Sequence, residues 1–120
     1  MLKHTISFQN AFRGIWTAIT TQANLRLHFL TASIIIGFSV YFEVTHTELL
    51  VIILTISMVV IAEMINTSIE FLCDAITLEH NEYIKYAKDV AAGTVLMSAI
   101  FAVLIGVIIF IPKIITLWTL

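Results

Sequence analysis

The stretch Leu49-Leu-Val-Ile-Ile-Leu-Thr-Ile-Ser-Met-Val-Val-Ile-Ala62 runs directly into Glu63-Met-Ile-Asn66-Thr67-Ser68-Ile-Glu70-Phe-Leu-Cys73-Asp74. The first 14 residues carry no charge, and the last 12 carry three carboxylates. No Gly or Pro interrupts them, so the sequence predicts one long helix from about Glu48 to about Thr77. At roughly 100° per residue, Glu63, Asn66, Glu70 and Asp74 fall at roughly 0°, 300°, 340° and 20° around the axis. They form one polar stripe with Thr67 at its edge. An acid at a bilayer centre costs on the order of 2.5–3.5 kcal/mol, so a row of acids on a helix of this kind needs a use.

Depth sharpens the reading. Glu63 follows Leu49 by 14 residues, roughly 21 Å along a helix axis. The hydrocarbon layer is about 30 Å thick, which puts Glu63 in the inner leaflet within about 9 Å of the cytoplasmic boundary. Asp74 lies about 16 Å further on, in or beyond the headgroups. The stripe is thus a ladder from lipid-hydroxyl depth to the cytosol, suited to chemistry between a lipid and a water-soluble partner. Lys88 and Asp89, at the start of the next apolar segment, close the same region. Glu79, His80, Asn81 and Glu82 line the connection. Carboxylates and amides in spans can also bind neighbouring helices together, which covers Asn66, Thr67 or Ser68 taken singly. Three acids, an amide and an apposed Lys-Asp pair favour a site.

The rest of the chain is built around that helix. Val90 to Ile111 is an uncharged run of 22 residues, long enough to span a bilayer, with Pro112 and Lys113 expected to close it. Leu27 to Phe42 is a shorter span whose one ionisable residue, His28, lies at its end. Residues 43–48 form a polar turn and residues 78–85 the other connection. In the first 24 residues Phe8, Phe12, Ile15 and Ile19 recur at spacings of three and four, with Ala11 and Trp16 beside them. That pattern predicts an amphipathic helix in the membrane interface. It lacks the continuous apolar core and small-residue cleavage site of a signal peptide. Ala91-Ala92 and Gly93 read as close helix packing.

Composition agrees. The chain has 120 residues, 60 % of them hydrophobic and 12 % charged, with a mean hydropathy of +1.04. Soluble domains average about 45–50 % apolar and about 25 % charged. Six Lys and Arg against eight Asp and Glu exclude a polybasic nucleic-acid binder. One cysteine, Cys73, excludes a disulfide framework or a CxxC motif. Four glycines, at 14, 37, 93 and 106, cannot build a GxxxxGK[ST] or GxGxxG loop. His28 and His80 read as interfacial polar residues, since no spacing here makes a zinc site. If a nucleotide binds, carboxylate-held Mg²⁺ has to do the work. The expected fold is an all-α integral membrane protein. It is a single membrane domain over residues 1–120, with an interfacial helix at about 1–24 and spans at 27–42, 48–77 and 86–111. Lys3, Arg13 and Arg26 precede the first span, and Lys85 and Lys88 sit between the second and third. The positive-inside rule therefore puts the N-terminus and the 78–89 loop in the cytoplasm of a bacterial-type plasma membrane. Lys113 alone dissents.

These residues carry a family resemblance. Glu63-x-x-Asn66-Thr67-Ser68-Ile69-Glu70-x-x-x-Asp74, then Lys88-Asp89 fourteen residues later, resembles the signature of the small prokaryotic diacylglycerol kinase family. Phe8, Ala11-Phe12 and Gly14 match its N-terminal part, and the likeness runs from about residue 7 to 112. Asn24-Leu-Arg-Leu-His28 and Lys88-Asp-Val-Ala-Ala-Gly93 look like the undecaprenol kinase branch. The resemblance implies an ATP-dependent lipid kinase, a homotrimer of three-span subunits with sites shared between subunits. It implies Glu63 as general base, Asn66 as an orienting group, and Glu70 holding Mg²⁺ on the ATP phosphates. Asp74, Lys88 and Asp89 would support nucleotide binding, with Glu79, His80 and Asn81 near the adenine and Lys3 and Asn10 reaching ATP from the surface helix. Asn24, Arg26 and His28 would join Glu63 at the lipid. The physics concurs on assembly: a ladder of acids must face other helices, and three spans cover it poorly.

One position departs from the pattern. Two residues before Asn24, where the family usually carries a second metal-holding glutamate, this chain has Gln22. An amide carbonyl can ligate Mg²⁺ without the charge, so a raised Mg²⁺ requirement is expected. The lipid is expected to be undecaprenol, with diacylglycerol as the alternative. A proton-coupled exporter of similar length would place its acid near mid-membrane, usually among four spans. A non-catalytic assembly subunit is favoured only by Gln22.

Overall fold

Residues 7–120 are described by a computed structural model, and among them the chain is wholly helical. The elements are α1 (Phe8–Thr21), α2 (Ala23–Tyr41), α3 (His46–Ile76) and α4 (Glu82–Trp118). The last three are long and apolar enough to cross a membrane, which makes this a multi-pass membrane protein. Lys3 lies outside the described residues.

Each boundary has a local cause. Ser7 caps α1, its Oγ accepting from the Asn10 backbone N–H at 3.4 Å. Gln22 alone, in extended conformation (φ −112°, ψ 107°), separates α1 from α2. Arg26 then donates to the freed carbonyls of Ile19 (2.8 Å) and Thr20 (3.1 Å), satisfying the C-terminus of α1. This junction starts α2 at Ala23, four residues before the expected span. α2 ends in a Schellman motif: Glu43 takes φ 51°, and the N–H groups of Glu43 and Val44 donate to Val40 and Ser39.

Two connections are shorter than the sequence reading gave. Thr45 and Glu48 form a reciprocal capping box that starts α3 at His46, so the polar turn does not extend to 48. Asn81 accepts from Tyr83 and Ile84 N–H at 3.0 and 3.1 Å and starts α4 at Glu82. Residues 82–89 are therefore helix, not loop, and Lys85 and Lys88 stand on α4. The third correction concerns Pro112, which does not close the last span: α4 continues to Trp118. Proline forfeits only the hydrogen bond to Ile108, a loss apolar helices tolerate. Beyond it, Lys113 Nζ reaches Glu48 Oε1 at 3.2 Å and ties the extension to the first turn of α3.

The bundle is arranged about α3. α4 packs along it, while α2 and α1 cover shorter parts. The interior is small and unusually polar: Leu25, Ile52, Val59, Ala62 and Ala91 are buried, and so are Ser39, Glu63, Asn66 and Thr67. Most large apolar side chains point outward, as a lipid solvent permits. On α1, Phe8, Phe12 and Trp16 are 78 %, 69 % and 66 % exposed, so its apolar stripe is not covered by the rest of the chain. Ala91 is buried, but Ala92 and Gly93 are exposed, and a Cβ on Gly93 would meet nothing within 4 Å.

Candidate active site

The polar stripe of α3 is buried in a gradient. Glu63 is 2 % exposed, with Asn66 and Thr67 beside it in the interior. Glu70 is half-buried and Asp74 exposed. The Thr67 hydroxyl donates to the Glu63 backbone carbonyl at 2.9 Å, so it is spent within the helix. Asn66 Oδ1 is buried with no donor among the described residues. An unsatisfied buried acceptor costs about 1–3 kcal/mol, and here it stands one turn from Glu63. Nothing on α3 is hydrogen-bonded to the Glu63 carboxylate among the described residues. Among the described residues its one ion-pair partner comes from α2: His28 Nε2 lies 3.8 Å from Glu63 Oε2.

An apolar groove of about 300 Å³ has this histidine in its wall. Its floor is α3, from Ile52 to Val60, and its walls are α2 and α4. Small residues open it: Ala32 on α2, and Ala99, Ala102 and Gly106 on α4. His28 and Thr31 make one end polar. At the other end Phe110 meets Phe42, ring centroids 6.0 Å apart. Sequence reasoning missed this groove. The small residues at spacings of three and four on α4 were the available signal; the divergence of α2 from α4 was not readable.

The far end of the stripe is charged and open. Lys88 Nζ lies 2.6 Å from Asp74 Oδ1, which brings together two of the expected nucleotide residues. Asp89 is engaged by Lys85 at 2.7 Å, a partner the sequence reading left out. His80 Nε2 is 3.0 Å from Glu82 Oε1, and Glu79 is exposed. The Asn81 side chain is occupied as the cap of α4. Asn10 and Asn24 are exposed on α1 and α2, and Arg26 is committed to the α1 carbonyls. Of these residues, Asp74 and Lys88 are the pair the fold brings into contact.

The donors suit magnesium carried by a nucleotide. No three His, Cys, Asp or Glu side chains gather into a metal cage among the described residues. Glu70 makes no ion pair there, and the orphaned Asn66 oxygen is one turn away on the same stripe. Mg²⁺ takes hard oxygens and needs only one or two carboxylates beside substrate phosphates. Glu70, half-buried on the stripe, is a carboxylate of that kind.

Residues 9–110 match the family model described as prokaryotic diacylglycerol kinase. Over 107 residues the chain is 37 % identical to the undecaprenol kinase of Bacillus subtilis (strain 168), covering 89 % of this chain and 87 % of that one. Over 113 residues it is 34 % identical to the diacylglycerol kinase of Synechocystis sp. (strain ATCC 27184 / PCC 6803 / Kazusa), covering 93 % of this chain and 65 % of that one. A membrane-embedded bundle with a buried glutamate, a half-buried second glutamate and a Lys-Asp pair at its open end is what the match spans, and the chain belongs to the prokaryotic diacylglycerol kinase family.

Proposed function

We propose that this lipid kinase transfers the γ-phosphoryl group of ATP to the hydroxyl of a membrane lipid alcohol, and that the alcohol is undecaprenol. The observation that carries the reading is the buried Glu63 carboxylate 3.8 Å from His28, which lines the polar end of the apolar groove. A lipid tail lying between α2 and α4 brings its hydroxyl beside Glu63. The carboxylate takes the hydroxyl proton as the oxygen attacks the γ-phosphorus in line. Asn66 offers its unpartnered oxygen to orient the reacting group. Glu70 and Gln22 would hold the Mg²⁺ of Mg·ATP, which neutralises charge on the transferring phosphoryl group. Lys88, positioned by Asp74, faces the phosphates from α4.

Undecaprenol is preferred for two reasons. The first relative carries that name. The groove that His28 lines is a single slot; a second groove between α2 and α3, lined by Phe29, Ser33 and Ser57, does not include His28. A single-chain alcohol fills one slot, whereas a diacylglycerol has a second tail to accommodate. Diacylglycerol is the second reading, favoured by the name of the other relative.

The reading extends to assembly and orientation. A homotrimer would cover the half-buried lower stripe of α3 and complete the nucleotide site from neighbouring copies. α1 would lie in the interface, with Phe8, Phe12 and Trp16 in the headgroup layer. The N-terminus and the α3–α4 connection would face the cytoplasm, where ATP is. Lys113, the basic residue that breaks the orientation rule, is neutralised by Glu48.

The test is transfer of labelled phosphate from ATP, with Mg²⁺, to undecaprenol and to a diacylglycerol offered in parallel in mixed micelles. Faster labelling of undecaprenol supports the reading, and preference for diacylglycerol replaces the proposed lipid. Labelling of neither, over a wide Mg²⁺ range, leaves a non-catalytic assembly subunit.

A further inference from the structure

The Glu63 carboxylate poses a specific problem. It is 3 % exposed and carries no hydrogen bond among the described residues. A buried carboxylate without partners is strongly disfavoured, and one free to rotate is a poorly aimed base. Lys88, Lys85 and Arg26 are engaged elsewhere: Lys88 with Asp74 and Lys85 with Asp89, and Arg26 with the carbonyls of Ile19 and Thr20. What faces Glu63 is the imidazole of His28, with Nε2 at 3.8 Å from Oε2.

We propose that His28 is a positioning residue for Glu63. In the tautomer with its proton on Nε2, the ring donates toward Oε2 and fixes the plane of the carboxylate. The other oxygen, Oε1, is then left to take the proton of the lipid hydroxyl. The separation exceeds a hydrogen bond by a fraction of an ångström, a closure that catalytic contacts commonly make when substrate binds. His28 is suited to this by its place in the fold. It is a wall residue of the groove and 26 % exposed at its side chain, so a tail occupying the groove presses on the ring. Occupancy of the lipid slot and alignment of the base are thereby linked through one side chain.

The inference rests on the kinase reading and is tested on the full-length protein in mixed micelles. The comparison uses wild type, His28→Ala, His28→Gln, Glu63→Gln and the His28→Ala/Glu63→Gln double variant. His28→Ala is expected to lower kcat by roughly tenfold or more, with the KM for Mg·ATP within about twofold of wild type. His28→Gln retains an N–H donor and is expected to recover part of the loss. If His28→Ala fails to assemble, the same split between kcat and KM is read on His28→Gln. In the Glu63→Gln background, His28→Ala is expected to remove nothing further from the residual rate, because its effect runs through Glu63. Full turnover in His28→Ala overturns the proposal. So does a loss confined to KM for the lipid, or an equal fold-loss with and without Glu63. A wild-type protein that labels no lipid overturns the kinase reading itself, a result distinct from an active wild type with an unaffected His28→Ala.

Discussion

Lys88 Nζ and Asp74 Oδ1 are 2.6 Å apart, a contact that joins the last turn of α3 to the second turn of α4. Both side chains are more than a third exposed, 39 % and 48 %, and an exposed pair of this kind contributes little to stability. On the proposed reading it aims the ammonium at the open end of the stripe. Asp74→Asn is therefore expected to raise the KM for ATP by roughly tenfold, the size of one weakened charge-assisted contact. The melting temperature should barely move. Thermal melts and ATP titrations on the same preparation check this; a large drop in Tm with unchanged KM would make the pair structural.

The Glu48–Lys113 pair behaves in the opposite way. Both side chains are about three-quarters covered, 26 % and 23 % exposed, and the contact anchors α4 beyond Pro112. Lys113→Ala should lower Tm by a few degrees and leave kcat unchanged, because the pair lies at the end of α3 away from Glu63. A thermal melt paired with a rate assay distinguishes this from a role in transfer.

Glu43 holds φ 51° at the αL position that ends α2. A side chain there costs about 1–2 kcal/mol that glycine does not incur. Glu43→Gly should stabilise the protein by up to about 1 kcal/mol, after glycine's own entropy cost is subtracted. Glu43→Val should destabilise it. Denaturation midpoints of the two variants, moving in opposite directions, are the check.

Gln22 supplies a neutral oxygen where a carboxylate would supply charge. Gln22→Glu should lower the Mg²⁺ concentration that gives half-maximal rate by roughly tenfold. Glu70→Gln should raise it by at least as much, with weaker Mg·ATP binding by calorimetry. Identical Mg²⁺ dependence in wild type and Gln22→Glu would remove residue 22 from the metal's surroundings.

Much of this was legible in the sequence because it depends on one helix. The stripe of Glu63, Asn66, Glu70 and Asp74, with Thr67 at its edge, follows from 3.6-residue periodicity; Glu63, Asn66 and Thr67 are buried, Glu70 is half-buried and Asp74 exposed. The three long apolar helices follow from composition. The errors have local causes. Thr45-x-x-Glu48 and Asn81 are capping signals present in the sequence and passed over, and Pro112 was given more breaking power than an apolar helix grants it. The committed Arg26 and the groove under Ala102 and Gly106 were not legible, and His28 beside Glu63 was expected only through the family resemblance. They depend on how α2 crosses α3, which no pattern within either helix encodes.

The central claim is that Glu63 is the base. Its most direct test is the turnover of Glu63→Gln against wild type, with undecaprenol and Mg·ATP saturating and nucleotide binding measured separately. The account predicts a loss of at least about 10²-fold in kcat, with Mg·ATP affinity and assembly retained. A kcat within a few-fold of wild type would contradict it, and the proton of the lipid hydroxyl would then have to leave by another route.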